Sequence, residues 1–162
     1  MGATEKIKNF CFKFATFGAL GEWWLGGVVA SVFAIPSLLF FQSVYWFSHK
    51  IFYWFLLFCA ILFFIVIQYA IYADPEKAPR TIVLDKVIGV MIALAGVPLR
   101  WRVIIFGFLM FHVLNTLKPF FWYRKVIRRV ERVPGILGVL GADVLSAALV
   151  NVFLHTIAWV MG

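Results

Sequence analysis

Long apolar runs separated by short polar stretches are the dominant pattern along this chain. About 20 apolar residues, at 1.5 Å each in a helix, span a hydrocarbon core of about 30 Å. The pattern therefore predicts an all-α fold, a polytopic membrane helical bundle with about five transmembrane helices. Their expected ranges are 23–47, 51–73, 82–97, 101–117 and 136–161, of which the third is short.

Local signals mark the limits of these runs. Pro36 lies inside the first run, where a proline kinks a helix or divides it into two pieces. A polar loop that begins at Asp74 ends the second run, and Lys118 ends the fourth. The range 51–73 is the clearest predicted span because it is long and almost wholly apolar.

The basic residues are unevenly divided between alternate loops, with eleven on one side and three on the other. Because Lys and Arg are enriched in cytoplasmic loops, the N-terminus is expected in the cytoplasm or the equivalent compartment, and the C-terminus outside (N-in/C-out). The N-terminal segment 1–21 and a basic loop, 118–135, then lie on the cytoplasmic side. The first set is Lys6, Lys8, Lys13, Lys77, Arg80, Lys118, Arg124, Lys125, Arg128, Arg129 and Arg132, and the second is Lys50, Arg100 and Arg102.

Composition supports the membrane class. Of the 162 residues, 64% are hydrophobic and 14% are charged, whereas a soluble domain is about half apolar and about a quarter charged. The length predicts a single domain, 1–162. The net charge of +8 favours anionic lipid headgroups over nucleic acid as partners, because the basic residues lie between apolar runs. Cys11 and Cys59 lack the spacing of a disulfide framework or a metal site.

Ionisable residues from separate runs are expected at one depth near the cytoplasmic face. Asp85 lies near the start of the third helix, Asp143 lies about 10 Å into the fifth, and Glu22 precedes the first. A charge at the centre of a bilayer costs at least about 2.5 kcal/mol, so such residues face a partner or a water-filled pocket. We predict a polar pocket in which Lys86 or Lys118 neutralises an aspartate; a purely structural salt bridge is the alternative.

A polar stripe follows the fourth helix, where His112, Asn115 and Lys118 recur at i, i+3 and i+6. These residues could line the pocket. Each also has a plainer interpretation, since a lysine at a helix end can extend to the membrane interface and a histidine can be a packing residue. Asp85 and Lys86 could likewise be only a charge pair at a helix start.

Four sequence blocks carry a family resemblance. Residues 82–89 read Ile-Val-Leu-Asp-Lys-Val-Ile-Gly, 111–119 read Phe-His-Val-Leu-Asn-Thr-Leu-Lys-Pro, and 138–146 read Gly-Val-Leu-Gly-Ala-Asp-Val-Leu-Ser. In this order they resemble the Asp-Glu-x-x-Gly, Phe-Arg-x-x-Asp-x-x-Lys-Pro and Gly-x-x-x-Asp-Asp blocks of the phosphatidylglycerophosphatase A family. Residues 26–31 stand where that family has Pro-Gly-Thr-x-Gly-Ser. The resemblance covers roughly residues 14–155, and the matching positions are Gly27, Ser31, Asp85, Gly89, Lys118, Pro119 and Asp143.

The resemblance implies a membrane enzyme that removes the terminal phosphate from phosphatidylglycerophosphate, leaves phosphatidylglycerol and requires magnesium. It also implies where the site would lie. The expected catalytic positions are Asp85, Asp143 and Lys118, and the expected positions for binding a phospholipid headgroup are Ser31, Lys86, His112 and Asn115.

Departures from the family pattern affect the expected chemistry. Three of the five acidic motif positions are Lys86, Asn115 and Ala142 here, and the motif arginine is His112. Magnesium prefers carboxylate oxygens in octahedral geometry, and phosphoryl transfer depends on stabilisation by metal ions and cations. We therefore expect no metal cofactor and a lost or greatly weakened reaction.

The leading hypothesis is a non-catalytic, phosphatase-like protein of a bacterial or organellar inner membrane. It would be a structural or accessory subunit of a larger membrane complex, with other membrane proteins as partners and an anionic phospholipid in its pocket. The alternative is an active magnesium-dependent lipid phosphatase in which Asp85 and Asp143 share Mg²⁺ while Lys118 and His112 hold phosphate. A small transporter is a second alternative, although the chain lacks paired interrupted helices.

Overall fold

The computed structural model describes residues 3–45, 49–76, 78–98, 100–117, 124–133 and 135–161. Over these residues it contains helices and connecting turns but no strand, which confirms the predicted all-α class. A short 3-10 helix, Gly18–Glu22, follows the first α-helix. The α-helices are α1 (Ala3–Ala15), α2 (Gly26–Val32), α3 (Ala34–Tyr45), α4 (His49–Ala73), α5 (Ala78–Thr81), α6 (Leu84–Ala93), α7 (Trp101–Leu117), α8 (Arg124–Glu131) and α9 (Ile136–Met161).

Three predicted helices have the expected limits. α7 and α9 match the predicted ranges, and α4 begins two residues earlier than predicted. Within α4 and α9, Tyr53–Ala73 and Ile136–Trp159 are long and apolar enough to cross a membrane. Only 11% of the apolar window in α4 is buried, whereas a core helix of a soluble protein buries its large hydrophobic side chains. The outward-facing apolar surface of α4 is suited to contact with lipid.

The first predicted span is divided into two helices, as the proline indicated. α2 ends at Val32, Phe33 separates the helices, and α3 begins at Ala34. Pro36 is the third residue of α3, within the first turn, where its missing N–H costs no hydrogen bond of the helix. The final two residues of the predicted span, 46 and 47, lie outside the described residues.

The third predicted span is shorter than expected and lies at the centre of the bundle. α6 has ten residues and is about 15 Å long. It packs against α2, α3, α4, α7 and α9, and a Cβ added to Gly89 would lie 2.2 Å from the Phe111 ring of α7. Its apolar composition reflects burial within the protein, so hydropathy overestimated its length as a span.

The C-terminal end of α6 is held by a polar side chain of α9. Asn151 Nδ2 donates to Ala95 O at 2.8 Å and to Ala93 O at 3.2 Å. The turn after α6 contains Gly96 with a φ of +71°, a conformation that favours glycine. The amide of Asn151 therefore satisfies carbonyl groups that a helix leaves without partners at its end.

Two further helices occupy segments that were predicted only as polar. α1 packs against α4 and buries Cys11 and Ala15. α8 lies within the predicted loop 118–135 and packs against α9, where Val130 contacts the face of Gly141. Residues 118–123 and 134 of that loop lie outside the described residues.

Backbone contacts place the chain before α2 against the start of α6. Val83 N donates to Ala15 O at 3.0 Å, and Gly21 N donates to Thr16 O at 2.8 Å. A Cβ added to Gly21 would lie 2.1 Å from Thr81 O. This close approach requires glycine, and it brings the segment that ends at Glu22 beside the first turn of α6.

Candidate functional site

A cleft of about 430 Å³ lies at the start of α6, bounded by the segment before α2, by α2 itself and by the end of α7. Most of the residues that line it are polar or small. They include Gly21, Glu22, Trp23 and Trp24 before α2, Gly27 and Val28 in α2, Asp85 and Lys86 in α6, and His112, Asn115 and Thr116 in α7. Residues that are far apart in sequence thus meet in one cleft.

An ion-paired cluster of Asp85, Lys86 and Asp143 forms the base of this site. The ammonium of Lys86 lies 2.7 Å from Asp85 Oδ2 and also contacts Asp143 Oδ2. Asp85 is 4% exposed and Asp143 is 2% exposed. Asp85 Oδ1 additionally accepts a hydrogen bond of 2.8 Å from the backbone N–H of Lys86. One ammonium therefore bridges two buried carboxylates from α6 and α9.

The lysine reaches across because α2 leaves room for its aliphatic chain. A Cβ added to Gly27 would lie 2.9 Å from Lys86 Cγ, which is closer than a real contact allows. Gly27 therefore lets the side chain of Lys86 run along α2 with its ammonium between the two carboxylates. The Lys86 side chain keeps 25% exposure and forms part of the cleft wall.

Ser31 and His112 form a second polar contact, between α2 and α7. Ser31 Oγ donates to Val28 O at 2.8 Å and lies 2.8 Å from His112 Nε2. The single proton of the Ser31 hydroxyl is used in the hydrogen bond to Val28 O, so Ser31 Oγ can only accept from the histidine. His112 therefore carries a proton on Nε2 and donates it to Ser31 Oγ. Ser31 is completely buried. The geometry is that of a hydrogen bond joining two helices, not of a serine nucleophile activated by a histidine base.

Asn115 presents an unsatisfied acceptor in the same cleft. Its Oδ1 is buried and has no hydrogen-bond partner among the residues that the structure describes. A buried acceptor without a partner costs about 1–3 kcal/mol, so this oxygen is a natural contact for a donor of a bound molecule. Ala142, the other neutral motif position, packs beside Leu114 and Leu145.

The structure thus brings together most of the residues singled out in the sequence. Asp85, Lys86 and Asp143 are in direct contact, while His112 and Asn115 line the cleft beside them. Ser31 contacts His112 behind the cleft wall. Lys118 lies outside the described residues, so its predicted catalytic position is not located.

Sequence reasoning missed the aromatic wall of the cleft. Trp23 and Trp24 line it with 52% and 85% of their surfaces exposed, and Thr116 lines it from α7. The signal for the tryptophans was their position next to Glu22, at the junction of a polar segment and an apolar run. Trp is enriched at such membrane interfaces.

The donor set, as it is arranged, does not suit magnesium. Within the described residues no group of three or more His, Cys, Asp or Glu side chains is placed to hold a metal ion. Magnesium takes oxygen ligands in octahedral geometry, whereas the two carboxylates here share the ammonium of Lys86. Mg²⁺ could bind between them only by displacing that ammonium or by accepting repulsion from it.

Comparison with known proteins relates the chain to lipid phosphatases. A protein of Bacteroides thetaiotaomicron named "Putative phosphatidylinositol-3-phosphatase" is 31% identical over 87 residues, which are 52% of this chain and 52% of the relative. The match therefore spans about half the length of that relative. No solved structure matches the chain significantly.

A sequence family covers much more of the molecule. The model of the phosphatidylglycerophosphatase A family matches residues 13–158, a range that begins within α1 and ends within α9. It includes every cleft residue described above, all of Tyr53–Ala73, and Ile136–Trp159 except for its last residue. The chain belongs to the phosphatidylglycerophosphatase A family.

Proposed function

We propose that this protein is a non-catalytic member of its family that keeps the fold but not the reaction. The observation that carries the proposal is the ammonium of Lys86 between Asp85 and Asp143. In this arrangement a side chain of the protein supplies the positive charge that buried carboxylates need. The two acidic groups are then committed to an internal ion pair and are not available as metal ligands.

The expected result of an activity test follows directly. The purified protein, assayed in detergent with magnesium, should release no phosphate from phosphatidylglycerophosphate above the rate without protein. The control is the Asp143→Asn variant, which should give the same background. Metal-dependent turnover by the unmodified protein that disappears in Asp143→Asn would establish the alternative, an active phosphatase with Mg²⁺ on Asp85 and Asp143.

The proposed role is that of a structural or accessory subunit in a membrane complex. The large apolar side chains that α4 exposes would then contact either lipid or a partner subunit. An anionic phospholipid is the proposed occupant of the cleft: a donor of its headgroup would bind Asn115 Oδ1, which has no partner among the described residues, and two tryptophans form a wall beside it. Gentle extraction from the native membrane should give a particle larger than the 18.5 kDa chain with its detergent. Extraction as a monomer would contradict the subunit role.

We further propose five passes through the membrane with the N-terminus in the cytoplasm or the equivalent compartment. The α2–α3 pair, α4, α7 and α9 would be four of the passes, and α6 with the turn that follows it would be the fifth. The positions of the two ends of this segment support the fifth pass. Asp85, near its start, lies at the cleft, whereas Gly96, in the turn after α6, lies beside Tyr53 near the start of α4. The inner membrane of a bacterium or an organelle is the proposed location.

Cysteine labelling tests this topology. In a Cys11→Ala, Cys59→Ala background, Thr4→Cys and Lys125→Cys should react with an impermeant maleimide from the same side of sealed vesicles. Trp159→Cys, near the end of α9, should react only from the other side. Detergent-opened vesicles provide the control, since every site should then react. Labelling of Lys125→Cys and Thr4→Cys from opposite sides would refute the proposed topology.

A further inference from the structure

A second recess lies between α7 and α9, at the ends of these helices that are remote from the cleft. It has a volume of about 570 Å³, and apolar side chains form most of its wall, among them Val103 and Phe106 of α7 with Leu154 and Ile157 of α9. Arg100 and Arg102 also line it. The recess therefore combines an apolar interior with two guanidinium groups.

This recess is separate from the cleft of Asp85 and Lys86. Arg102 precedes Asn115 by thirteen residues of α7, which corresponds to about 20 Å along the helix. On α9, Leu154 lies eleven residues beyond Asp143, so the two cavities are separated along this helix as well. No side chain of the described residues lines both cavities.

The charge at this recess is not compensated within the described part of the chain. All seven acidic side chains lie in that part, and none forms an ion pair with Arg100 or Arg102. Arg102 instead lies over the ring of Trp101, with the guanidinium carbon 5.5 Å from the ring centroid. The first turn of α7 adds the positive end of a helix dipole at the same place.

Two tryptophans fix the depth of this positive region. Trp101 is 67% exposed at the start of α7, and Trp159 is 85% exposed near the end of α9. Exposed tryptophans at the ends of membrane helices lie at the level of the lipid headgroups. In the proposed topology the arginines are therefore at headgroup depth, and the apolar wall extends from them toward the hydrocarbon.

We propose that this recess binds one anionic phospholipid, with its phosphate and headgroup at Arg100 and Arg102 and an acyl chain against the apolar wall of α7 and α9. The negative headgroup complements two cations that have no carboxylate partner among the described residues, and the acyl chain packs against the apolar wall within the hydrocarbon. This site does not depend on whether the cleft is catalytic.

Photo-crosslinking tests the site locally. The intact protein in lipid nanodiscs is labelled with phosphatidylglycerol that carries a diazirine in its acyl chain, and in parallel with the matching phosphatidylcholine. The labelling ratio of the two lipids on residues 154–158 should exceed the ratio on the exposed face of α4 by about tenfold, because each arginine favours an anionic lipid. Equal ratios at the two places would overturn the proposal.

Two variants separate the charge from the groove. Arg100→Gln with Arg102→Gln should reduce the ratio on α9 to that of α4, whereas Lys125→Gln with Arg129→Gln, the same charge change on α8, should leave it high. Ala158→Phe should fill the groove and lower labelling with both arginines present, while Ala148→Phe on another exposed part of α9 should not. The proposal fails if the α8 variant has the same effect as the arginine variant, or if Ala158→Phe has none.

Discussion

Replacement of Lys86 by methionine is expected to lower the free energy of unfolding by about 3 kcal/mol, because it removes the cation from a buried ion pair. Asp85 and Asp143 would then remain close together at the base of the cleft, without the ammonium that now contacts both. Methionine keeps most of the aliphatic volume that packs against Gly27, so the effect reports the loss of charge. Thermal unfolding of the purified protein in detergent measures it.

The exposed lysine of α8 provides the control, since Lys125→Met removes the same charge at the surface and should change stability by less than about 0.5 kcal/mol. Combining Lys86→Met with Asp143→Asn should recover stability relative to Lys86→Met alone, because it also removes one of the negative charges. Magnesium should stabilise Lys86→Met but not the unmodified protein. Equal responses of the two proteins to magnesium would contradict the view that Lys86 occupies the place of a cation.

The sequence predicts best the helices whose ends are marked by polar residues. α4, α7 and α9 are long apolar runs with polar residues at their limits, so composition alone locates their ends. For α6, the predicted range 82–97 is longer than the helix. Hydropathy gives the same signal for side chains buried against Phe111 and other protein side chains as for side chains in contact with lipid. The end of α6 depends on a turn at Gly96 and on an amide of α9, which are tertiary features.

α1 and α8 were missed for a different reason. Both are rich in charge, and their lysines and arginines predict only a polar N-terminal segment, 1–21, and a basic loop, 118–135. Apolar residues nevertheless recur at helical spacing, as Phe10 and Phe14 do in α1 and Val126 and Val130 do in α8. A 3.6-residue period of apolar positions within a charged segment is therefore the signal that indicates both helices.

The sequence predicts that Asp85 and Asp143 approach each other and that a lysine neutralises an aspartate there, but it predicts neither the geometry of that contact nor the aromatic wall of the cleft. The cost of charge in a bilayer indicated that Asp85 and Asp143 must have a cationic partner, and motif spacing placed them together. That Lys86 folds back to its own neighbour and also reaches α9 depends on the space over Gly27, which no sequence pattern shows. The hydrogen bond between Ser31 and His112 is likewise a consequence of how α2 meets α7.

Restoring three acidic residues together is expected to create magnesium-dependent phosphatase activity, which we propose that the unmodified protein lacks. The variant is Lys86→Glu with Asn115→Asp and Ala142→Asp. It removes the ammonium from between the aspartates and adds carboxylates at three acidic motif positions of the family, on α6, α7 and α9. Each single restoration should give no turnover, because catalysis needs the complete set of oxygen ligands even where a metal ion can already bind to part of it. The assay measures phosphate released from phosphatidylglycerophosphate in detergent, with and without magnesium.

Stability provides an independent measurement on the same triple variant. Ala142 is 2% exposed and packs beside Leu114 and Leu145, so a carboxylate there is costly unless a cation compensates it. The variant should therefore be less stable than the unmodified protein without magnesium and should recover when magnesium is added, since a ligand of the folded state stabilises it. Asp143→Asn in the triple background should abolish both turnover and most of this recovery. If the triple variant is inactive and also indifferent to magnesium, these three positions do not account for the loss of the reaction, and the proposed basis for the non-catalytic state is wrong.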